Sequence, residues 1–331
     1  MNAQLHKQDN ILILIQILRR GEYWQMHLRA ASNLLVSLTT LEPKIPTSFF
    51  EQPGSKSKGL ETPRNASFGD RVGPDTIDEN AIDTIVGAFV ALDIISSAST
   101  RSPSLLRADH KHWLRDRNIQ IHHSIGCDTR VMLLISQISA LEEWKMGCEA
   151  SGSLSIMELS KRASWIETAL EDFLNENASK VEAAIPALKM RYPTVIPAPS
   201  TSELNGRLVS SIFALSAITY LHVVISGAYP ELNEIRLNVF KTVLAMNNLP
   251  DPRLLRCMVW PFCVTGCLAP KELEGELRDL AASASASETS VGGLWKSLKI
   301  MEDCWQRRDQ NAGSQDWTTA MSRLGNQILL F

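Results

Sequence analysis

Between Leu208 and Ser226 the chain is apolar on nearly every helical face. A helix that is apolar all round must be covered all round, so this segment is expected to be the central buried helix, with the other elements packed around it. Those elements show the same periodicity. Apolar residues recur mostly at spacings of three and four, and strand-like alternation is scarce. The expected fold is all-α, an array of packed helices.

A first helix is expected from Asn10 to about Thr39, broken near Gly21. Ile82, Val86, Phe89, Val90 and Ile94 resume the pattern, and Val131 to Trp144 places Leu134, Ile138 and Leu141 on one face. Gly147 to Ser153 reads as a loop. Ser155 followed by Glu158 is a capping-box signature for a helix whose stripe holds Trp165, Ile166, Ala169, Leu170, Phe173 and Leu174. Pro193, Pro197 and Pro199 mark an irregular segment. Pro230 suits the first turn of a helix carrying Leu232, Ile235, Val239 and Met246, and Pro270 opens one with Leu273, Leu277 and Leu280. Pro261, inside an apolar run, is expected to end or kink what precedes it. Ala281 to Gly293 reads as a Ser/Ala/Gly spacer.

Pro43 to Asn80 differs in kind. It holds Pro43, Pro46, Pro53, Pro63 and Pro74 among Gly, Ser and Lys residues, and buries too little apolar surface to offset the entropy of ordering. The expected organisation is a helical segment over 1–42, a long disordered internal linker over 43–80 and a helical domain over 81–331.

Composition narrows the function classes. The 331 residues carry 33 Lys plus Arg against 36 Asp plus Glu, a net charge of −3. A chain that grips DNA or RNA by itself usually has a basic excess, so little direct DNA binding is expected here, and that without sequence preference. The apolar run Ile11 to Leu18 is too short to span a bilayer and lacks a signal-peptide frame. Neither a membrane nor a secretory role is expected.

Sites for chemistry are sparse. The cysteines stand at 127, 148, 257, 263, 267 and 304, with no C-x₂-C pair. Zinc needs thiolates clustered about one ion. The nearest set, Cys257, Cys263 and Cys267, lies in an apolar run and reads as buried core thiols. His110 and His112, like His122 and His123, are too close in sequence to share a helix face and read as solvated or singly hydrogen-bonded. His27 and His222 read as core histidines. Gly54 to Gly59 lacks the phosphate-loop spacing, no nucleophile elbow occurs, and Glu142 and Glu143 fall on exposed faces by pattern. No catalytic, cofactor-binding or metal-ligating residue is assigned, and no enzyme is expected.

The Trp, Arg and Gly placements carry more. Residues 18 to 31 read Leu-Arg-Arg-Gly-Glu-Tyr-Trp-Gln-Met-His-Leu-Arg-Ala-Ala. Tyr220 to Gly227 reads Tyr-Leu-His-Val-Val-Ile-Ser-Gly, and Val259 to Ala269 reads Val-Trp-Pro-Phe-Cys-Val-Thr-Gly-Cys-Leu-Ala. Met301 to Asp309 reads Met-Glu-Asp-Cys-Trp-Gln-Arg-Arg-Asp, with Asp316, Trp317, Met321, Leu324 and Gly325 beyond it. In this order the segments resemble the second class of fungal-specific transcription factor domain, the C-terminal regulatory domain of fungal zinc-cluster regulators, including acriflavine-sensitivity-type proteins. The resemblance covers nearly the whole chain outside Pro43 to Asn80. It implies an all-helical regulatory domain acting on transcription in the nucleus, possible control of metabolic or secondary-metabolite genes, and contacts with other transcription proteins, a DNA-binding partner or a small effector.

The family's zinc-cluster module has close-set cysteines interleaved with Arg and Lys, and these are absent here. The stretch like Arg20 to Ala31, internal in the family, stands near Met1. A truncated gene model, a degenerate paralogue and a natural short form all fit. Trp24, Trp260, Trp305 and Trp317 are expected as core anchors, and Arg307, Arg308 and Asp309 as caps or bridges at helix ends. Two other readings stay open. One is a repurposed helical protein that binds or transforms a small metabolite, with His122, His123 and Asp128 the first place to look for convergent polar groups. The other is a remnant with apolar helix faces left uncovered.

Overall fold

The computed structural model describes residues 25–26, 28–30, 32–33, 79–106, 109–116, 119, 121, 125–189, 201–285, 292–310, 316–325 and 330. Among the described residues nine longer helices follow in chain order: α1 Glu79–Thr100, α2 Thr129–Ala150, α3 Ile156–Lys189, α4 Thr201–Ser226, α5 Asn233–Asn247, α6 Val259–Cys267, α7 Glu274–Ser285, α8 Gly293–Asp309 and α9 Trp317–Arg323. No strand occurs among the described residues. The first expected helix falls mostly outside them, though those described between 25 and 33 are helical. The expected linker lies outside them up to 78. Glu79 and Asn80 already belong to α1, so the helix starts before Ile82.

α4 is the central helix, as its all-round apolarity requires. It packs against α2, α3, α5 and α6, burying Val209, Ile212, Phe213, Ile218, Leu221 and Val224 among others. Each large apolar side chain so covered contributes about 1.5–3 kcal/mol. Its polar residues are matched across helices. The Ser216 hydroxyl lies 3.1 Å from that of Thr265, and the Asn238 amide donates to Thr219 Oγ1 at 2.6 Å. Gly227 ends the helix at φ +90, where the left-handed conformation lets its N–H reach the Val223 carbonyl at 2.8 Å. Windows within α1 and α4 are long and apolar enough to cross a bilayer, but 72% of each is buried beneath neighbouring helices.

On one side of α4, the short helix α6 is buried at every residue and packs on α8. Gly266 permits this approach, since a Cβ there would meet Met301 Cε at 2.2 Å. Trp305 Nε1–H donates to the Gly266 carbonyl at 2.7 Å. Trp260, Trp305 and Trp317 are all core residues, as expected; Trp24 lies outside the described residues. Arg308 lies 3.7 Å from Glu274 and Asp309 3.3 Å from Lys271, so the end of α8 is bridged to the start of α7 and the turn before it.

Several local expectations are corrected. Trp165 is 62% exposed, because α3 buries Leu159, Ala163, Ile166, Leu170 and Phe173 and the adjacent Trp165 points about 100° away from Ile166. α2 continues through Gly147 to Ala150. α7 extends to Ser285 with Ala281 and Ala284 buried, so the first part of the expected spacer is core helix. Pro230 stands in the turn before α5, whose N-cap is Leu232. Pro261 lies in the first turn of α6 rather than breaking a helix, a place where no intrahelical N–H donor is needed. The Ser155 cap forms, its hydroxyl accepting from Glu158 N at 3.3 Å.

Candidate functional site

The polar groups concentrate where α1 meets α2. Asp93 interrupts the apolar face of α1 and is almost wholly buried. Its carboxylate accepts from the Leu105 and Leu106 backbone N–H groups at 2.9 and 3.0 Å and from the Ser104 hydroxyl at 2.6 Å. His110 Nε2 stands 2.7 Å from Asp93 Oδ2, and His110 Nδ1 3.1 Å from Ser136 Oγ on α2. Burial alone would raise the Asp93 pKa. The contact with His110, joined by Ser104 and Leu106, outweighs it and holds the carboxyl below its ordinary value. Asp93 therefore ties the 101–106 strap back onto α1, and His110 carries the link on to α2.

Arg101 begins that strap at φ +52, a left-handed conformation uncommon for a residue with a Cβ. Its guanidinium bonds Glu142 on α2 and donates to Asp316 at 2.6 Å, and it lies 5.7 Å from the centroid of the Trp317 ring. Tyr220 on α4 donates to the other Glu142 oxygen at 2.6 Å, and Trp317 Nε1–H donates to the Ser99 carbonyl at 3.0 Å. Burial opposes the charge on Arg101, but Glu142 and Asp316 overcome it and raise its pKa. Burial and the neighbouring Glu142 push Tyr220 well up, so it stays a phenol and a donor. Four helices, α1, α2, α4 and α9, meet at this node.

Open crevices flank the node. One of about 220 Å³ lies between α1 and α2, walled by Ser97, Ser136 and Ser139 with Ala140 and Glu143 along α2. A second of about 220 Å³ lies across the strap against Leu28 and Arg29, and a smaller one of about 70 Å³ lies beside Arg101.

The fungal specific transcription factor domain matches residues 10–331, almost the full length. The chain belongs to that family. Among its relatives is the trichothecene biosynthesis transcription regulator TRI10 of Trichoderma arundinaceum, 30% identical over 100% of this chain and 74% of that protein. TRI10 of Fusarium sporotrichioides is 29% identical over 95% and 69% of the two chains. Transcription factor dibT of Pestalotiopsis microspora is 27% identical over 97% of this chain and 52% of its own. No solved structure matches.

Within this family member, the residues singled out by sequence fare unevenly. His122 and His123 lie outside the described residues. Asp128 is the N-cap of α2, accepting from Arg130 N at 2.7 Å, while its own N–H donates to Ser210 Oγ at 2.9 Å. That is a structural role. His110 is not solvated or singly bonded but buried among Asp93, Ser104 and Ser136; His112 is exposed. Glu142 is buried too, because Arg101 and Tyr220 supply the partners that its charge needs, while Glu143 is exposed as expected. His222 is part-buried, with Nε2 2.8 Å from Glu167.

Cys127, Cys263, Cys267 and Cys304 are buried, but Cys257 is exposed at the end of a 3₁₀ turn. Burial, then hydrogen-bonding contact with Cys263 and Cys304, pushes the Cys267 thiol well up, which disfavours the nucleophilic thiolate. No grouping of His, Cys, Asp or Glu fit for a metal occurs among the described residues. Asp93 and Arg101 were missed by motif reading. The available signal was Asp93 itself, a lone carboxylate within the run Val86 to Ile95.

Proposed function

We propose that this chain is the regulatory domain of a fungal transcription regulator controlling secondary-metabolite genes. The family match across residues 10–331 carries the reading, and the trichothecene regulators among its relatives support the class of target gene. The domain works in the nucleus through contacts with transcription proteins, a DNA-binding partner or a small effector, and not by catalysis. The net charge of −3 and dispersed cysteines support a minor role for direct DNA contact. Exposed apolar side chains support protein contacts: Leu237, Phe240 and Leu244 share one face of α5, and Met157 and Trp165 stand out on α3.

The test is a fusion to an unrelated DNA-binding domain, assayed on a reporter in a fungal host. Reporter output changes, the Trp260→Ala version loses the change, and Ser160→Ala, at an exposed position, keeps it. A soluble fusion that leaves several promoters at baseline overturns the proposal. Metabolite turnover by the purified chain would favour the repurposed-protein reading instead.

A further inference from the structure

The crevice between α1 and α2 has an unusual hydrogen-bonding character. Three of its hydroxyl hydrogens are engaged by the protein. Ser97 donates to the Ser102 carbonyl at 2.7 Å, Ser104 to Asp93 at 2.6 Å and Ser139 to the Ile135 carbonyl at 3.3 Å. Asp93 Oδ2 and Ser136 Oγ face the two ring nitrogens of His110, at 2.7 and 3.1 Å. Oxygen lone pairs are what Ser97 and Ser139 have left to offer a guest. Glu143 adds a carboxylate at the rim, and no ion pair among the described residues engages it. Arg101, the nearest cation on the strap, is turned into Glu142 and Asp316. Ile94 and Ala140 supply apolar wall.

A lining rich in acceptors and poor in donors disfavours anions and favours a guest that brings its own hydrogens and a positive charge. The volume of about 220 Å³ exceeds the roughly 150 Å³ of a cavity that admits benzene. We propose that this crevice binds a small organic ammonium ion, a primary amine on a compact apolar body, with the ammonium on the serine oxygens and Glu143 and the body against Ile94 and Ala140. It would be the effector site of the regulator reading, on which its biological meaning rests; the binding chemistry stands apart from it.

Calorimetry and thermal melting of the full chain with 2-phenylethylamine, 2-phenylethanol and phenylacetate vary the head group on one body. The amine binds and raises the melting temperature, and phenylacetate binds about tenfold or more weakly. Glu143→Gln weakens the amine by about two- to fivefold, the range of an exposed ion pair. Ala140→Leu, at an exposed position, blocks the crevice while helical content and the unliganded melting temperature hold. The proposal is overturned if the amine does not bind at millimolar concentration, if phenylacetate binds as well, or if neither substitution changes amine binding. Adding the amine to the tethered-reporter assay separates the two proposals. A reporter that responds to tethering but not to the amine sinks the effector role alone; calorimetric binding with a silent reporter sinks the regulator reading alone.

Discussion

The two sides of α4 are stabilised differently. Around α6 and α8 the core is apolar and close-packed: Phe213 stacks with Trp260 at a centroid separation of 6.2 Å, and Gly266 lets Met301 and Trp305 approach. Where α1 meets α2, buried charges and hydroxyls do the joining, through Asp93, His110, Arg101, Glu142 and Tyr220. Tyr220 and Trp317 link the sides, with ring centroids 5.9 Å apart. An apolar side tolerates no missing volume, whereas a polar side tolerates no missing partner. The polar side also leaves crevices, since its groups seek directional partners rather than maximal contact.

The largest effect should come from the apolar side. Trp260→Ala removes an indole that is 1% exposed and is expected to cost about 3–5 kcal/mol in chemical denaturation. Trp260→Phe should cost clearly less, because the indole N–H has no partner to lose. Equal losses would mean that polarity, not volume, matters there.

Next comes the node. Arg101→Met leaves Glu142 buried beside Tyr220 alone and should cost about 2–3 kcal/mol, below the value for a fully buried pair because Arg101 keeps 23% side-chain exposure. Pairing it with Glu142→Gln in a double-mutant cycle should recover part of that loss. Strict additivity would show that the two residues do not act as a pair.

A pH series tests the polar side with a smaller effect. Burial raises the Asp93 and Asp316 carboxyls, but their hydrogen bonds and cationic neighbours bring both below the ordinary value. A depressed folded pKa means stability that is present above the unfolded value of about 3.9 and lost as pH falls through the lower folded values. Asp93→Asn should therefore flatten the acid limb of the melting-temperature profile, and an unchanged limb would contradict the assignment. Smallest of all, Trp165→Ala at a 62% exposed site should change stability by less than about 0.5 kcal/mol in the same denaturation assay.

Apolar spacing determined much of this protein by itself. It gave the helices and the central place of α4, because a 3.6-residue repeat of large apolar side chains has few ways to leave water. The Trp, Arg and Gly segments pointed to the family for a related reason: Gly266 must be small to let α8 approach, and Trp305 must find a carbonyl. Tertiary structure alone decided the fate of the polar residues. Glu142 and Glu143 are neighbours of identical chemistry, yet one is buried on Arg101 and Tyr220 and the other stands at the rim of a crevice. His110 lies 17 residues from the Asp93 that holds it, and Arg101 lies 215 from Asp316. Periodicity reports which face of a helix avoids water. A buried charge depends on a partner that only the folded chain brings within reach, and so the crevice between α1 and α2 could not be read from the sequence.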